Sequence, residues 1–350
     1  MMNWESNVRK VVPYVAGEQP SGKVIKLNTN ENPYAPAPGV SALLKGYDVS
    51  LLRKYPDMNS SSLVNALSEK YNVKPSQIFV GIGSDDVLAM AFLTFFNSGK
   101  KILFPDITYS FYDVWADLYK IPYETIPLDD DFKIHPEDYE KENGGVIFPN
   151  PNAPTGVAMD PADIRKILDH NRDVVCIVDE AYVDFGTESA LSLLPEYDNL
   201  LVVQTFSKSR SMAGLRVGYA IGNEKIISYL QDVKFSFNSY TMNSLTLAVG
   251  AEAVRDDEYF KTTCEKIIRT REKLKADLRE LGFEFPDSKA NFIFATHPAV
   301  SAESIYTELK KRNIYVRYFK KPRIDNYLRI TVGTDEECDE LVRNLKEITG

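Results

Sequence analysis

The chain has 350 residues, 44% of them hydrophobic, which is enough for a full core and, at about 100–200 residues per domain, for two domains rather than a disordered segment. Its 41 basic and 50 acidic side chains leave a net charge of −9, which repels phosphate backbones and anionic bilayers, so neither nucleic acid nor a membrane is an expected partner. An anionic ligand must then be held by a few locally placed arginines and backbone N–H groups.

Cys176, Cys264 and Cys338 are few and widely spaced, which fits neither a disulfide framework nor a zinc cluster. The opening "MMNWESNVRKVVPY" lacks the apolar centre of a secretion signal, and no stretch approaches the roughly 18 apolar residues of a membrane span. A reducing cytoplasm is the expected compartment, with the chain used from its first residue.

Along the chain, the segment before residue 50 is proline-rich with little periodicity and reads as an arm that packs onto a neighbour. From 60 to 235, short apolar runs alternate with amphipathic patterns, the signature of βα units and a mainly parallel sheet. "QIFVGIG" (77–83) predicts a strand and "SDDVLAMAFLTFFN" (84–97) a helix with Ser84, Asp85 and Asp86 in its first turn. "KILFPD" predicts a strand, "YSFYDVWADLYK" a helix, "YETIPL" and "GGVIFPNP" two more strands. Asp160 and Pro161 then open a helix with a cap residue and a proline at its first position. "VVCIVDEAY" and "NLLVVQTFSK" follow as strands.

Near residue 240 the pattern changes. A long helix is expected from about 257 to 282, with Cys264, Ile267, Ile268, Leu274, Leu278 and Leu281 on one face, then "NFIFAT", a helix, "NIYVRYF" and "YLRITVG". Thr334 and Glu337 form a capping box for the last helix. The reading is α/β: an arm and part of a small domain in 1–50, a large domain in 51–250 and a small α+β domain in 251–350.

Ligands of open parallel sheets bind beyond the carboxyl ends of the strands. Gly83–Ser84, Asn152, Asp179 and Lys208 each follow an apolar strand and so share one edge. Lys208 is either a surface lysine that ends its strand or an amine whose desolvation prepares it to form a Schiff base. Asp179 is either a cap or bridge residue, or a carboxylate whose partner is a protonated pyridine nitrogen. A helix N-terminus contributes only about 0.3–1 kcal/mol to a bound anion, so holding a phosphate takes Arg216 as well. "GIGSDD" is no dinucleotide fingerprint, because Asp86 stands where the third glycine belongs. His135, His170 and His297 show no ligand spacing and read as structural, and no metal site or serine-nucleophile elbow appears.

"SKSRSMAGLRVGY", "DEAY", "NPNAPTG" and "YLRITVGT", in this order, together with "VVPY", "LNTNENP" and "RKYPD", resemble the fold-type I pyridoxal-phosphate aminotransferases, and within them the histidinol-phosphate aminotransferase branch. The resemblance covers nearly the whole chain. It implies pyridoxal 5'-phosphate as cofactor, joined to Lys208, which also acts as the catalytic base. It further implies that Asp179 pairs with the ring nitrogen, Tyr182 bonds the phenolic oxygen and Tyr109 stacks on the ring. Gly83, Ser84, Asp85, Ser207 and Arg216 would surround the phosphate, with Tyr55 reaching it from the other subunit of a homodimer whose active site is shared. Tyr14, Arg317 and Arg329 match positions that bind the anionic ends of the substrate. One position departs: the asparagine directly before Pro-Thr-Gly in "NNPTG" is Ala153 here, and Asn152, one residue earlier, is the candidate to take over its contact. The implied reaction exchanges amino groups between L-histidinol phosphate and 2-oxoglutarate in histidine biosynthesis. An aromatic amino-acid aminotransferase and a threonine-phosphate decarboxylase share the same cofactor residues. A non-catalytic regulator on the same fold would carry a DNA-binding module, for which this acidic chain has no segment to spare.

Overall fold

The computed structural model describes residues 3–350. Within the arm, Ile25–Leu27 forms strand β1 and Pro38–Gly46 helix α1, and Ser61–Tyr71 follows it as helix α2. β2 (Ile78–Gly81) runs into α3 (Gly83–Phe95), β3 (Ile102–Pro105) into α4 (Tyr112–Tyr119), and β4 (Tyr123–Ile126) and β5 (Val146–Pro149) into α5 (Pro161–His170). Strands β6 (Cys176–Asp179), β7 (Leu200–Thr205) and β8 (Gly218–Gly222) follow, then helices α6 (Glu224–Phe237), α7 (Ser244–Arg255) and α8 (Asp257–Glu280). β9 (Phe292–Ala295), α9 (Ala302–Lys311), β10 (Ile314–Tyr318), β11 (Leu328–Thr331) and α10 (Asp335–Thr349) complete the chain.

Seven strands form one sheet in the order β2-β8-β7-β6-β5-β3-β4. β8 alone runs against its neighbours; the others point the same way, so their carboxyl ends fall on one edge. Every residue of β5, β6 and β7 is buried, as expected for strands covered by helices on both faces. On one side Val87, Leu88, Ala91 and Phe92 of α3 pack with Ile147, Ile177 and Leu201; on the other Ile164, Ile167 and Leu168 of α5 pack with Phe148 and Val178. The spacing of each helical set is that of one apolar face at 3.6 residues per turn.

A second sheet, β1-β10-β11-β9, has its own core against α8, α9 and α10. Its first strand comes from the arm: β1 lies parallel to β10, with Ile25 opposite Ile314. Cys264, Ile267, Leu274 and Leu278 of α8 are buried in this core, while Ile268 and Leu281 pack at its margin. Arg271, also buried on α8, donates to the carbonyls of Phe185 and Ala290 and so fastens the helix to both halves of the molecule. The capping box forms in both directions, Glu337 N–H to Thr334 Oγ1 and Thr334 N–H to Glu337 Oε2. Asp160 stands at the expected cap position with Pro161 behind it, but its exposed carboxylate makes no capping bond; its carbonyl instead accepts from Asp163 and Ile164.

Candidate active site

At the common edge, a pocket opens between the ends of β5, β6 and β7 and the first turn of α3, with Lys208, Asp179, Tyr182, Tyr109, Ser84 and Arg216 in its walls. These come from five separate stretches of chain, and the parallel order of the strands is what gathers them.

Asp179 ends β6 at 4% exposure. Its Oδ2 accepts from the Tyr112 hydroxyl at 2.9 Å and its Oδ1 from the Ala181 N–H at 3.2 Å, but it takes part in no ion pair among the described residues. Burial pushes its carboxyl up to about 6, against the pull of those two donors. A carboxylate so placed lacks a cation, and a protonated ring nitrogen would supply one.

The opposite end of the pocket is cationic. Gly83 has φ +80°, which turns the chain from β2 into α3 and aims the helix N-terminus at the pocket; a Cβ there would meet the Arg216 guanidinium at 2.5 Å. Arg216 reaches Ser207 Oγ at 3.3 Å and donates to Asp85 Oδ2 at 2.8 Å. Asp85 also accepts from the Tyr109 hydroxyl at 2.7 Å. It therefore orients the arginine and the aromatic wall, and as a carboxylate it would repel rather than hold a phosphate. Burial, then the Asp85 charge, holds the Tyr109 phenol well above its usual range, so it stays a donor.

Between these ends Lys208 Nζ donates to the Thr29 carbonyl at 3.2 Å and lies 5.7 Å from the centre of the Tyr182 ring. Tyr182 packs edge-on against Phe292 at 5.0 Å, which locks the ring and leaves its hydroxyl to be positioned by polar contacts.

A second pocket continues outward from Lys208 and Tyr182 and is lined by Tyr14, Arg317 and Arg329. Arg317 and Arg329 are register partners on β10 and β11. Like charges directly opposite one another destabilise a sheet unless an anion sits between them. Burial lowers the Arg329 pKa, and the neighbouring Arg317 charge adds to this, while Nε of Arg329 is a buried donor without a partner among the described residues. Arg317 donates to the carbonyls of Val15 and Ala16, and Tyr14 stacks on Phe111 at 4.2 Å, so the arm closes this pocket from outside.

Two expected residues stand apart. Asn152 is buried with its amide committed to the Ile107 carbonyl and Thr155 Oγ1, and its Oδ1 accepts from Thr108; it lines neither pocket, because successive side chains of an extended segment point in opposite directions. Ala153 lines the first pocket in its place. Tyr55 is 83% exposed, 4.8 Å from Tyr240, and also lines neither pocket of its own chain. The three histidines bond locally, His135 to Asp129, His170 to the Lys166 carbonyl and His297 to the Leu281 carbonyl. Sequence reasoning missed Tyr112, which donates to Asp179, Thr29, which holds Lys208, and Asn30, which meets Tyr182. "LNTNENP" was the available signal, since an asparagine-rich, strand-adjacent segment has donors and acceptors to place.

A mainly parallel sheet carrying a strand-end lysine, a buried aspartate and an arginine at a helix N-terminus defines a fold-type I aminotransferase. Residues 22–345 match the aminotransferase class I and II family, and the chain belongs to it. A histidinol-phosphate aminotransferase of Clostridium acetobutylicum is 52% identical over 346 residues, covering 98% of each chain. Histidinol-phosphate aminotransferase 1 of Hydrogenovibrio crunogenus is 53% identical over 346 residues, covering 99% of this chain and 97% of that one. The crystal structure of the Sinorhizobium meliloti histidinol-phosphate aminotransferase in complex with pyridoxal-5'-phosphate superposes with a TM-score of 0.83 at 22% identity, covering 93% of this chain and 91% of that one.

Proposed function

We propose that this chain exchanges the amino group between L-histidinol phosphate and 2-oxoglutarate, yielding imidazole acetol phosphate and glutamate, as a step of histidine biosynthesis with pyridoxal 5'-phosphate as cofactor. The observation that carries the reading is the buried Asp179 carboxylate without a cation, facing a pocket with Lys208 at its mouth and Arg216 at its far end. About half identity over the full chain to histidinol-phosphate aminotransferases supports the substrate.

Bound cofactor supplies an electron sink that makes a substrate Cα–H bond acidic. Asp179 would pair with a protonated ring nitrogen, and Tyr109 would lie against the ring. Ser84, Ser207, Arg216 and the α3 N-terminus take the phosphate, with Gly83 allowing the close approach. Lys208 would anchor the cofactor, and its amine would be the base that moves the proton at the substrate Cα. Tyr182 donates to the phenolic oxygen. Asn152 is left out of this set, since its hydrogen bonds are spent elsewhere. Tyr14, Arg317 and Arg329 bind the anionic end of the substrate, the planar guanidinium suiting both carboxylate and phosphate.

The same reading makes the protein a cytoplasmic homodimer, with residues 51–250 as its large domain, 251–350 as its small one and 1–50 divided between arm and small domain. Exposed Val49, Leu52, Tyr55 and Phe237 supply apolar surface for the contact between subunits, which would carry Tyr55 to the partner's phosphate. No helix among the described residues is long and apolar enough to cross a membrane.

The test is an absorbance spectrum of purified protein before and after L-histidinol phosphate, with no keto acid present. Loss of the yellow band and growth of the pyridoxamine band is the expected result. A yellow protein that ignores this substrate moves the assignment to an aromatic amino acid or, if carbon dioxide is released from threonine phosphate, to a decarboxylase. A protein still colourless after incubation with pyridoxal phosphate refutes it.

A further inference from the structure

Asn30 is 1% exposed and sits in the left-handed region at φ 55°, which asparagine tolerates better than most residues. Its N–H donates to Thr331 Oγ1 at 3.0 Å, and the Thr331 hydroxyl returns its proton to Asn30 Oδ1 at 3.1 Å. The Asn30 carbonyl accepts from Asn291 Nδ2 at 3.0 Å. With Oδ1 engaged by Thr331, it is Nδ2 that meets the Tyr182 hydroxyl, donating to it at 2.9 Å.

A phenol has a single proton. Because Tyr182 accepts from Asn30 and its hydroxyl has no other hydrogen bond among the described residues, that proton is free to point into the pocket. Ala153, beside Tyr182 in the same wall, offers only a methyl group. A single phenol thus has to serve whatever oxygen is bound there, and the direction of its proton decides whether it can.

We propose that Asn30 is a positioning residue that fixes the Tyr182 hydroxyl as a donor toward the cofactor's phenolic oxygen, a role that rests on the pyridoxal-phosphate reading above. Thr331 holds the amide in the required orientation. It lies two residues beyond Arg329 on β11, so the strand that carries the anion-binding arginine also sets the donor state of Tyr182.

Asn30→Asp tests this, because the carboxylate is isosteric, accepts the left-handed backbone and cannot donate. It would take the Tyr182 proton for itself and turn the phenol away from the pocket. A donor to the phenolic oxygen favours the more negative, deprotonated form of the bound cofactor, so losing it raises the pH at which the colour changes. The readout is the pH midpoint of that change in protein reconstituted with pyridoxal phosphate. Asn30→Asp and Tyr182→Phe should each raise it by about one pH unit, the scale of one hydrogen bond. The double variant should titrate like Tyr182→Phe alone. Uncharged Asn30→Gly, which keeps the left-handed backbone, should shift the midpoint the same way by less. Yellow variants that titrate as wild type overturn the role of Asn30, as does an Asn30→Asp shift that persists in full without the Tyr182 hydroxyl, since that is bare charge. A wild-type protein that takes up no pyridoxal phosphate overturns the proposed function instead.

Discussion

Removing the charge of Asp179 should stabilise the cofactor-free protein while ruining its chemistry. Burial raises this carboxyl from 3.8 to about 6, so the folded state binds its proton more tightly than the unfolded chain does. Below about pH 4 both states are protonated and no penalty exists. As pH rises through 4 to 6 the unfolded chain ionises first, and folding stability falls until the buried group has also ionised. Above pH 6 the full difference of about two pH units applies, which is ~3 kcal/mol. Asn at this position keeps an acceptor for Tyr112 but meets the Ala181 N–H less well, and one lost hydrogen bond offsets ~1 kcal/mol of the gain. A net gain of ~2 kcal/mol remains, or roughly 3 °C in a chain of 350 residues, at about 2 cal/mol/K of unfolding entropy per residue. Thermal unfolding of cofactor-free wild type and Asp179→Asn at pH 5 and pH 7.5 measures it, with the advantage of the variant larger at pH 7.5. Added pyridoxal phosphate should reverse the order, because wild type regains a cation for Asp179 and is stabilised by binding, whereas the variant gains less. A variant no more stable than wild type at pH 7.5 without cofactor, or equally favoured at both pH values, would refute the claim that Asp179 is held as an uncompensated buried charge.

Two more perturbations address the ends of the site. Arg329→Lys keeps the charge but loses the planar fork beside Arg317, so KM for both amino donor and keto acid should rise roughly 10–100-fold, while the absorbance of the resting protein stays unchanged; steady-state kinetics with an unaltered KM would remove Arg329 from the substrate site. Gly83→Ala forces a φ of +80° on alanine and places a Cβ 2.5 Å from Arg216, so pyridoxal-phosphate affinity should fall about tenfold in an absorbance titration; wild-type affinity would show that the turn yields without disturbing the anion end.

What local sequence could reveal depended on the range of the physics. "VVCIV" and "NLLVVQ" announce buried strands because the covering helices leave no polar face, and a polar residue at the end of each then stands at the binding edge whatever the strand order. Lys208 and Asp179 could be found in this way; Arg216 precedes β8 rather than ending a strand, and only the need for a cation to join the α3 N-terminus in holding an anion points to it. Strand β8 was not legible at all: its five residues include two glycines, so no apolar run marks it, and nothing local shows that it runs opposite to its neighbours β2 and β7. Nor was the destination of the arm, because a three-residue strand such as β1 is defined by its partner β10, some 290 residues away. Asn152 shows the same limit at atomic scale: besides Thr155 within "NPNAPTG", its side chain is held by Ile107 and Thr108, some 45 residues earlier, which the motif does not announce.

Asn30 makes the consequence general. Its chemistry depends on Tyr182, 152 positions later, and on Thr331, 301 positions later, so no spacing rule could connect them. The motif residues carry reactive groups whose identity is fixed by chemistry: an amine, a carboxylate, a guanidinium. The residues that decide the protonation and aim of those groups have only to supply a donor or acceptor at the right place, which many sequences can do from many positions. A site of this kind is therefore half readable in advance. Its reactive atoms can be named from the chain, whereas the partners that tune them, Tyr112 for Asp179, Asp85 for Arg216 and Asn30 for Tyr182, appear only when the fold brings them within hydrogen-bond distance.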